Sequence, residues 1–418
     1  MSKNITKIKD QFFASCPTGL EELLAAEIKK LDYQKLKVVK GGVHFDAMAK
    51  VAMELVLSSR IASRIYKKMF VFTINSEKNL HKKALEIKWK SVFNLDQTFK
   101  ISVVQGMSED GKHRSKFKST LYLAQNLKDA IVDRYRKDAD GERPSVSKDD
   151  PDINLLLRVE PITGDEYRNE ECTILLDLCG APLNHRGYRD TNFAAPLKEN
   201  LAAGIVMLTG YTGKEHFIDA MCGSGTLIIE SLLIKGDLPP SYLLIEDYLK
   251  TEKKHWKFLA HNWFVKDKYL TAEWKEIAEL YLTKVKAGYK NLEQAKVQTL
   301  AYDKEKYSRN AIGFNLKAAK LQDYVRVEAG DATELAPPVD SGIVVANPPY
   351  GHRLEQDKDL SELYHNFGEN LKKNFKGFKA YIFTGNMPLI KKISLRTSRK
   401  DILWNGNIES RLVEYDLY

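Results

Sequence analysis

The amino-acid sequence predicts an α/β protein, in which a parallel, doubly wound sheet follows a smaller α+β region. Two observations predict this fold class. Within the first 65 residues, the apolar pattern changes in the order β-α-β-β-α, which is the outline of a ferredoxin-like unit. From about residue 216, short apolar strands alternate with helices, and the strands end at glycine, acidic or amide residues. The second pattern is typical of a Rossmann-like sheet that binds a ligand at its strand ends.

Composition and charge indicate a globular protein without a membrane-spanning segment. The chain has 418 residues, of which 43% are hydrophobic and 29% charged, as is typical of a globular protein with two or three domains. No apolar run approaches the roughly 20 residues of a membrane span, and the first residues lack a signal peptide's apolar core. We therefore expect a cytoplasmic protein without a membrane partner. The net charge of +9 is compatible with a polyanionic partner, although many basic enzymes have none.

The cysteines argue against a metal centre. None of them forms a CxxC pair, and no histidine lies at metal-ligand spacing from them. We therefore expect reduced thiols and no metal site. The four residues are Cys16, Cys172, Cys179 and Cys222.

These patterns divide the chain into four segments. We predict a ferredoxin-like unit at 1–65, a second α+β region at 66–165 and a linker at 166–215. The doubly wound domain then occupies 216–418, with an insertion at about 237–296 that would cover the site or the substrate.

A basic loop with one aromatic residue precedes the last helix of the second segment. Such a loop suits a nucleic-acid backbone, and a solvated entrance to the helix is the alternative. The candidate RNA-binding residues here are Lys112, Arg114, Lys116 and Lys118.

The stretch Gly106–Lys112 matches the first seven positions of a phosphate-binding P-loop. However, His113 stands where a serine or threonine must reach magnesium, and Glu109 and Asp110 would place carboxylates against phosphates. We therefore do not interpret this stretch as a P-loop.

The predicted linker contains a second basic motif, Arg186-Gly187-Tyr188-Arg189. Arg186 and Arg189 could contact RNA or a substrate phosphate through bidentate pairing. The alternative is an interdomain salt-bridge cluster, and the motif alone favours neither.

A glycine loop opens the last segment. The strand 216–219 leads into Ala220–Thr226, and a helix follows from 227 to 235. The third glycine of GxGxxG is missing, so this loop fits S-adenosylmethionine better than a dinucleotide, which needs more phosphate-facing donors.

Acidic residues follow the next two strands. We choose Asp303 for the ribose hydroxyls, because Asp237 has the usual spacing but does not end a strand. Asp331 follows the strand 325–329 and would accept from the adenine amino group. The candidate cofactor-binding residues are Asp219, Cys222, Gly223, Gly225, Thr226, Asp303, Asp331, Ala332 and Asn347.

The stretch Asn347-Pro348-Pro349-Tyr350 follows a fourth buried strand. An exocyclic amino group of a nucleobase is a poor nucleophile, because its lone pair is delocalised into the ring. The Asn347 side-chain oxygen and the Pro348 carbonyl could accept its hydrogens, rigid prolines would hold that backbone, and Tyr350 could stack on the base. The candidate catalytic residues are therefore Asn347, Pro348, Pro349 and Tyr350. The alternative, a Pro-Pro turn that only closes a strand, is disfavoured because four successive strand ends carry suitable polar residues.

Several motifs together resemble the THUMP-containing class I methyltransferases of the UPF0020 family. Two departures are Ala220-Met221, where the family usually has a proline, and His352, where an acidic residue is common. The motifs are Phe13-Ala14-Ser15-Cys16-Pro17-Thr18-Gly19-Leu20-Glu21, Gly41-Gly42-Val43, Arg186-Gly187-Tyr188-Arg189, Ala195-Pro196-Leu197-Lys198-Glu199, Cys222-Gly223-Ser224-Gly225-Thr226 and Asn347-Pro348-Pro349-Tyr350-Gly351.

The resemblance implies a THUMP region that binds RNA and a Rossmann-like domain that binds S-adenosylmethionine. It is strongest for the guanine-N2 methyltransferases of large-subunit ribosomal RNA, which implies 23S ribosomal RNA as the partner. Three alternatives remain at this point: a transfer RNA guanine-N2 methyltransferase, an adenine-N6 methyltransferase, and a non-catalytic RNA-binding assembly factor.

Overall fold

The computed structural model describes residues 10–108, 111–165, 169–189, 197–350 and 357–418, and for 357–359 the backbone alone. These residues form two seven-stranded sheets, each with helices packed on it. The predicted fold class is confirmed: an α+β region precedes an α/β domain with a mainly parallel sheet. Within the described part of the chain, no helix has both the length and the apolar character that crossing a bilayer requires.

The first sheet joins the ferredoxin-like unit to the region that follows it. Its strand order is β2-β3-β1-β4-β7-β6-β5, and its neighbours are antiparallel except for the parallel pair β5 and β6. The strands are β1 (Asp10–Ser15), β2 (Tyr33–Val39), β3 (Gly42–Ala47), β4 (Arg64–Ile74), β5 (Phe99–Gln105), β6 (Ile153–Pro161) and β7 (Glu170–Asp177). The helices are α1 (Glu21–Lys29), α2 (Ala49–Ser58), α3 (Glu77–Leu85) and α4 (Thr120–Asp138).

Two strands make this sheet continuous. The start of β4 pairs with β1, and nearly the whole of β4 pairs with β7 on its other side. The predicted linker therefore contributes an interior strand to the sheet, because β7 lies between β4 and β6.

Helix α2 ends at Ser58. The carboxylate of Glu27 on α1 accepts hydrogen bonds from the Ser59 hydroxyl at 2.5 Å and from the Arg60 N–H at 2.8 Å. The Ser59 N–H keeps its helical acceptor, the Leu55 carbonyl, and Glu27 supplies the acceptor for the Arg60 N–H, so the chain can leave the helix there.

The second sheet has the order β10-β9-β8-β11-β12-β14-β13. Strands β8 to β12 are parallel, and β14 returns antiparallel to β12 and pairs with β13 as a hairpin. The strands are β8 (Phe217–Asp219), β9 (Thr299–Asp303), β10 (Arg326–Ala329), β11 (Gly342–Ala346), β12 (Phe378–Thr384), β13 (Arg399–Asn405) and β14 (Ile408–Asp416). The helices are α5 (Glu199–Leu208), α6 (Thr226–Lys235), α7 (Tyr242–Thr251), α8 (Asn262–Val265), α9 (Lys268–Gln294), α10 (Lys306–Ala318), α11 (Asp357–Asn374) and α12 (Met387–Ile390).

The predicted insertion packs between the two halves of the protein. It contains α7, α8 and α9, and its aromatic core includes Trp256 and Trp274, whose ring centroids lie 5.3 Å apart. Asn262 donates to the Asn94 side chain at 3.0 Å, and the Leu238 carbonyl accepts from Arg60 at 2.8 Å. These contacts join the insertion to the N-terminal half.

Candidate active site

The predicted polar residues meet along one edge of the second sheet. In the parallel register, Asp219 at the end of β8 lies between Ala301 on β9 and Val345 on β11, and Asp303 pairs with Ala329 on β10. The chain reverses its direction of progress through the sheet between β8 and β11. Open α/β sheets bind their ligands at such a switch point, beyond the carboxyl ends of the strands.

The two glycines of the loop after β8 have different environments. Gly223 has a φ of +52°, and an added Cβ would have no atom within 4 Å. Gly225 has a φ of +82°, and an added Cβ would lie 2.3 Å from Cγ1 of Ile312 on α10. Gly223 therefore leaves room for a ligand, whereas Gly225 allows α10 to pack against the loop.

Two carboxylates accept hydrogen bonds from the backbone of this loop. The Gly223 N–H donates to Oδ2 of Asp303 at 2.9 Å, and the Met221 N–H donates to Oδ1 of Asp219 at 3.2 Å. Asp219 is 1% exposed. Burial raises the pKa of Asp219 to about 8, and the neighbouring charge of Asp303 acts in the same direction.

The other predicted cofactor residues surround the loop. Asp331 is partly exposed, accepts from the Thr333 N–H at 2.9 Å, and borders a cleft of about 350 Å³ that Tyr302 also lines. Three more predicted residues are buried: Cys222 in the loop, Thr226 at the start of α6, and Ala332 in the core beside Asp331.

The four predicted catalytic residues directly follow β11. Pro348 is buried, while Asn347 and Tyr350 are half-buried. The Tyr350 hydroxyl donates to Oδ1 of Asn347 at 2.6 Å, and its ring packs edge-on against Phe383 with the centroids 6.3 Å apart. Burial raises the pKa of the Tyr350 hydroxyl, so it stays a donor at neutral pH. An amide oxygen has two lone pairs, so Asn347 keeps one acceptor position for a substrate.

The sequence profile described as RMKL-like, methyltransferase domain, of the UPF0020 family matches residues 186–414, which is more than half of the chain. The chain belongs to this family. A profile of the RlmL ferredoxin-like domain matches residues 11–66, and a profile of the THUMP domain matches residues 75–163. The resemblance drawn from the motifs is thus confirmed, and the UPF0020 methyltransferase domain contains the site described above.

Known proteins resemble this UPF0020 chain over nearly its whole length. Ribosomal RNA large subunit methyltransferase K/L from Desulfotalea psychrophila is 32% identical over 98% of this chain and 53% of its own length. The chain therefore spans about half the length of the curated relative it matches. A possible methylase from Clostridium difficile 630 superposes with a TM-score of 0.78 at 24% identity, covering 98% of this chain and 99% of that one. SMU.472, solved in complex with SAH, gives 0.74 at 22% identity, with 98% of each chain covered. The two structures show that the fold is shared.

Sequence reasoning missed three polar residues that hold the Asn347–Tyr350 segment. Asn386 donates to the Tyr350 carbonyl at 2.9 Å, and the Tyr364 hydroxyl lies 3.4 Å from the Pro349 carbonyl and 3.0 Å from the Thr384 hydroxyl. A signal for two of them was present, because Thr384 and Asn386 flank the end of β12, one strand beyond β11. Gly351 and His352 lie outside the described residues.

Of the two arginines of the predicted linker, Arg186 is buried and Arg189 is half-buried. Arg186 is 2% exposed and lies 3.4 Å from the carboxylate of Glu230, which is fully buried on α6. Arg189 pairs with Glu199 at 2.7 Å and is 20% exposed. The prediction that Arg186 contacts RNA is therefore corrected: its guanidinium is enclosed by Glu230 and by the carbonyls of Leu183 and Arg60. Ala195 and Pro196 lie outside the described residues.

The basic loop of the N-terminal half remains on the surface. Phe117 is buried and anchors the loop, and the Phe117 carbonyl accepts from the Gln105 side chain at 2.5 Å. The Lys116 N–H donates to Glu170 on β7 at 2.7 Å. The side chains of the four predicted residues are exposed around this anchor: Lys112, Arg114, Lys116 and Lys118.

Proposed function

We propose that the protein transfers a methyl group from S-adenosylmethionine to the exocyclic N2 of guanine in structured RNA, with 23S ribosomal RNA as its substrate. One observation carries this proposal: the Asn347 amide, whose oxygen is oriented by Tyr350, stands one strand away from the glycine loop. A hydrogen-bond acceptor for the substrate amine and a loop for the methyl donor thus lie side by side at one edge of the sheet. The name of the relative from Desulfotalea psychrophila supports ribosomal RNA as the substrate class.

The residues around the glycine loop fit S-adenosylmethionine, which supplies an activated methyl group when it is bound. The open side of Gly223 gives the ligand access to the loop backbone. Asp303 at the end of β9 is assigned to the ribose hydroxyls, and Asp331 at the cleft beside β10 to the adenine. SAH bound to the structurally similar SMU.472 supports this choice of ligand.

The chain's own residues would prepare the amine for attack. Asn347 and the Pro348 carbonyl would accept its two hydrogens, so that the nitrogen lone pair localises and points toward the donor. The hydrogen bond from the Tyr350 hydroxyl fixes which side of the Asn347 amide carries the oxygen and which carries the NH2 group. The amine carries an extra proton after attack and is then acidic enough to lose it to water, so this proposal assigns no strong general base.

The N-terminal half would bind the RNA. Its basic loop presents exposed cations around Phe117, and the chain matches a THUMP profile in this region. Such contacts act on phosphates and position the RNA without reading its sequence. A target base held in a helix must be flipped out, at a cost of a few kcal/mol.

The test is methyl transfer from labelled S-adenosylmethionine into separated, unmodified 23S, 16S and transfer RNA, followed by nucleoside identification. We expect N2-methylguanosine in 23S RNA. Label in transfer RNA would replace the substrate, and N6-methyladenosine would refute the assignment of the base. Absence of label from every RNA and from duplex DNA, with the protein folded, would refute methyl transfer and favour an assembly factor.

The two loop glycines provide a first prediction. Alanine at either position carries a left-handed φ penalty of about 1–2 kcal/mol, but only Gly225→Ala also clashes with Ile312. We expect Gly225→Ala to lower the melting temperature clearly more than Gly223→Ala. Gly223→Ala should instead weaken S-adenosylmethionine binding, measured by calorimetry. Equal melting temperatures for the two variants would contradict this division.

The raised pKa of Asp219 gives a pH-dependent prediction. Below about pH 8 this carboxyl is mostly protonated in the ligand-free protein. A cationic ligand favours its ionised form, so binding releases a proton and affinity rises as the pH rises toward about 8. We expect the Kd for S-adenosylmethionine to fall by up to about tenfold per pH unit between roughly pH 6 and 8. Asp219→Asn should remove this dependence, and a wild-type Kd that is flat over the same range would contradict the prediction.

A further inference from the structure

A fifth strand end adjoins the Asn347–Tyr350 segment. Strand β12 is the parallel neighbour of β11 on the side away from β8, and it ends at Thr384. The chain then passes directly beside Tyr350, since an added Cβ at Gly385 would lie 3.4 Å from Cδ2 of that ring.

Asn386 connects this strand end to the segment through an amide of fixed orientation. Its Oδ1 accepts from the Leu389 N–H at 3.1 Å and caps α12, while its Nδ2 donates to the Tyr350 carbonyl at 2.9 Å. Because the capping bond needs the oxygen on the helix side, the NH2 group must face Tyr350.

A second connection runs from the backbone of Asn386 to Pro349. The Asn386 N–H donates to the Thr384 hydroxyl at 3.0 Å, which lies 3.0 Å from the Tyr364 hydroxyl. Tyr364 is 1% exposed and donates to the Pro349 carbonyl at 3.4 Å. One set of donor directions satisfies every group: the Asn386 N–H donates to Thr384, the Thr384 hydroxyl donates to Tyr364, and the Tyr364 hydroxyl donates to the Pro349 carbonyl.

We infer that Asn386 is a positioning residue for methyl transfer. Its hydrogen bond to the Tyr350 carbonyl holds the backbone of the Asn347–Tyr350 segment in place. With the carbonyls of Pro349 and Tyr350 held, the peptide planes on either side of Tyr350 are fixed. Because the Tyr350 hydroxyl donates to Oδ1 of Asn347, a fixed Tyr350 backbone also fixes the position from which that amide is held. This inference rests on the proposed function, and it matters because a displacement of about 1 Å at a reacting centre can lower the rate about a hundredfold.

Two substitutions separate this role from capping of α12. Asn386→Ser retains a good capping oxygen but cannot reach the Tyr350 carbonyl, and Asn386→Asp retains the cap but places an oxygen against that carbonyl. Capping alone ranks Asn, Asp and Ser nearly equal. If residue 386 positions the segment, turnover should instead be highest with Asn, lower with Ser and lowest with Asp.

The experiment measures single-turnover methyl transfer on the full chain with saturating S-adenosylmethionine, together with the cofactor Kd and the melting temperature. We expect about a tenfold loss of rate for Asn386→Ser and a larger loss for Asn386→Asp, with both Kd values within about twofold of wild type. Tyr364→Phe should lose rate as well, because it breaks the connection to Pro349.

Three outcomes would overturn the inference. Equal rates for the three residues at position 386 would show that the contact with Tyr350 does not position the segment. Rate losses that only follow losses of melting temperature or cofactor affinity would show a structural role. A wild-type protein that methylates no nucleic acid would refute the proposed function and this inference together, whereas methylation of a different base would refute only the former.

Discussion

Asn347→Ala is expected to lower the rate of methyl transfer about a hundredfold or more, while the Kd for S-adenosylmethionine changes by less than about twofold. The side chain would hold the amine as its lone pair localises, and loss of one such transition-state hydrogen bond commonly costs a factor of 10² to 10³. Its amide oxygen is engaged by the Tyr350 hydroxyl, on the side of the site away from the acids of β9 and β10. The measurement is single-turnover transfer together with calorimetric titration of the cofactor.

The matched control is Asn310→Ala, which removes the same side chain from an exposed position on α10. It should leave both quantities unchanged. A variant at position 347 that loses cofactor affinity as strongly as rate would contradict the separation between amine binding and cofactor binding.

Glu230→Ala is expected to destabilise the fold by about 3–5 kcal/mol, because it leaves the buried charge of Arg186 without its carboxylate. Glu230 is completely buried, and the Tyr188 hydroxyl also lies 3.4 Å from it. Burial raises the pKa of Glu230, and the charges of Arg186 and Arg60 oppose that rise. The measurement is the urea concentration at half-unfolding, with unfolding monitored by circular dichroism.

The matched control for Glu230 is Glu369→Ala on α11, which removes a carboxylate paired with Lys372 at an exposed position. Surface pairs contribute little, so we expect no measurable change in the denaturation midpoint. Equal midpoints for the two variants would show that the buried pair is unimportant for stability. If Glu230→Ala does not fold, Glu230→Gln should fold and give a midpoint below that of wild type, because it keeps a hydrogen-bond acceptor for Arg186 but not the charge.

The fold was predictable because its signals are local. The alternation of strands and helices, and the polar residues at 219, 303, 331 and 347, follow from residue spacing and from the rule that parallel strand ends share an edge. The structure brings all four of these residues to that edge. Their individual roles stay predictions.

Other features depend on contacts between distant residues and left no local signal. An Arg-Gly-Tyr-Arg motif has the same composition whether it meets a phosphate or a buried carboxylate, and only the position of Glu230 on α6 distinguishes the two for Arg186. The end of α2 at Ser58 involves Glu27, more than 30 residues away in the chain. The placement of the insertion likewise depends on side chains of the N-terminal half, such as Asn94.

Strand β4 has a consequence for how the N-terminal half can be divided. The ferredoxin-like profile ends at residue 66 and the THUMP profile begins at residue 75, so β4 contains the end of one matched segment and the approach to the next. A cut between residues 65 and 66 would expose unpaired strand edges on both products. The two matched segments should therefore unfold in a single cooperative step, and their β4 amides should exchange with solvent at one common, slow rate.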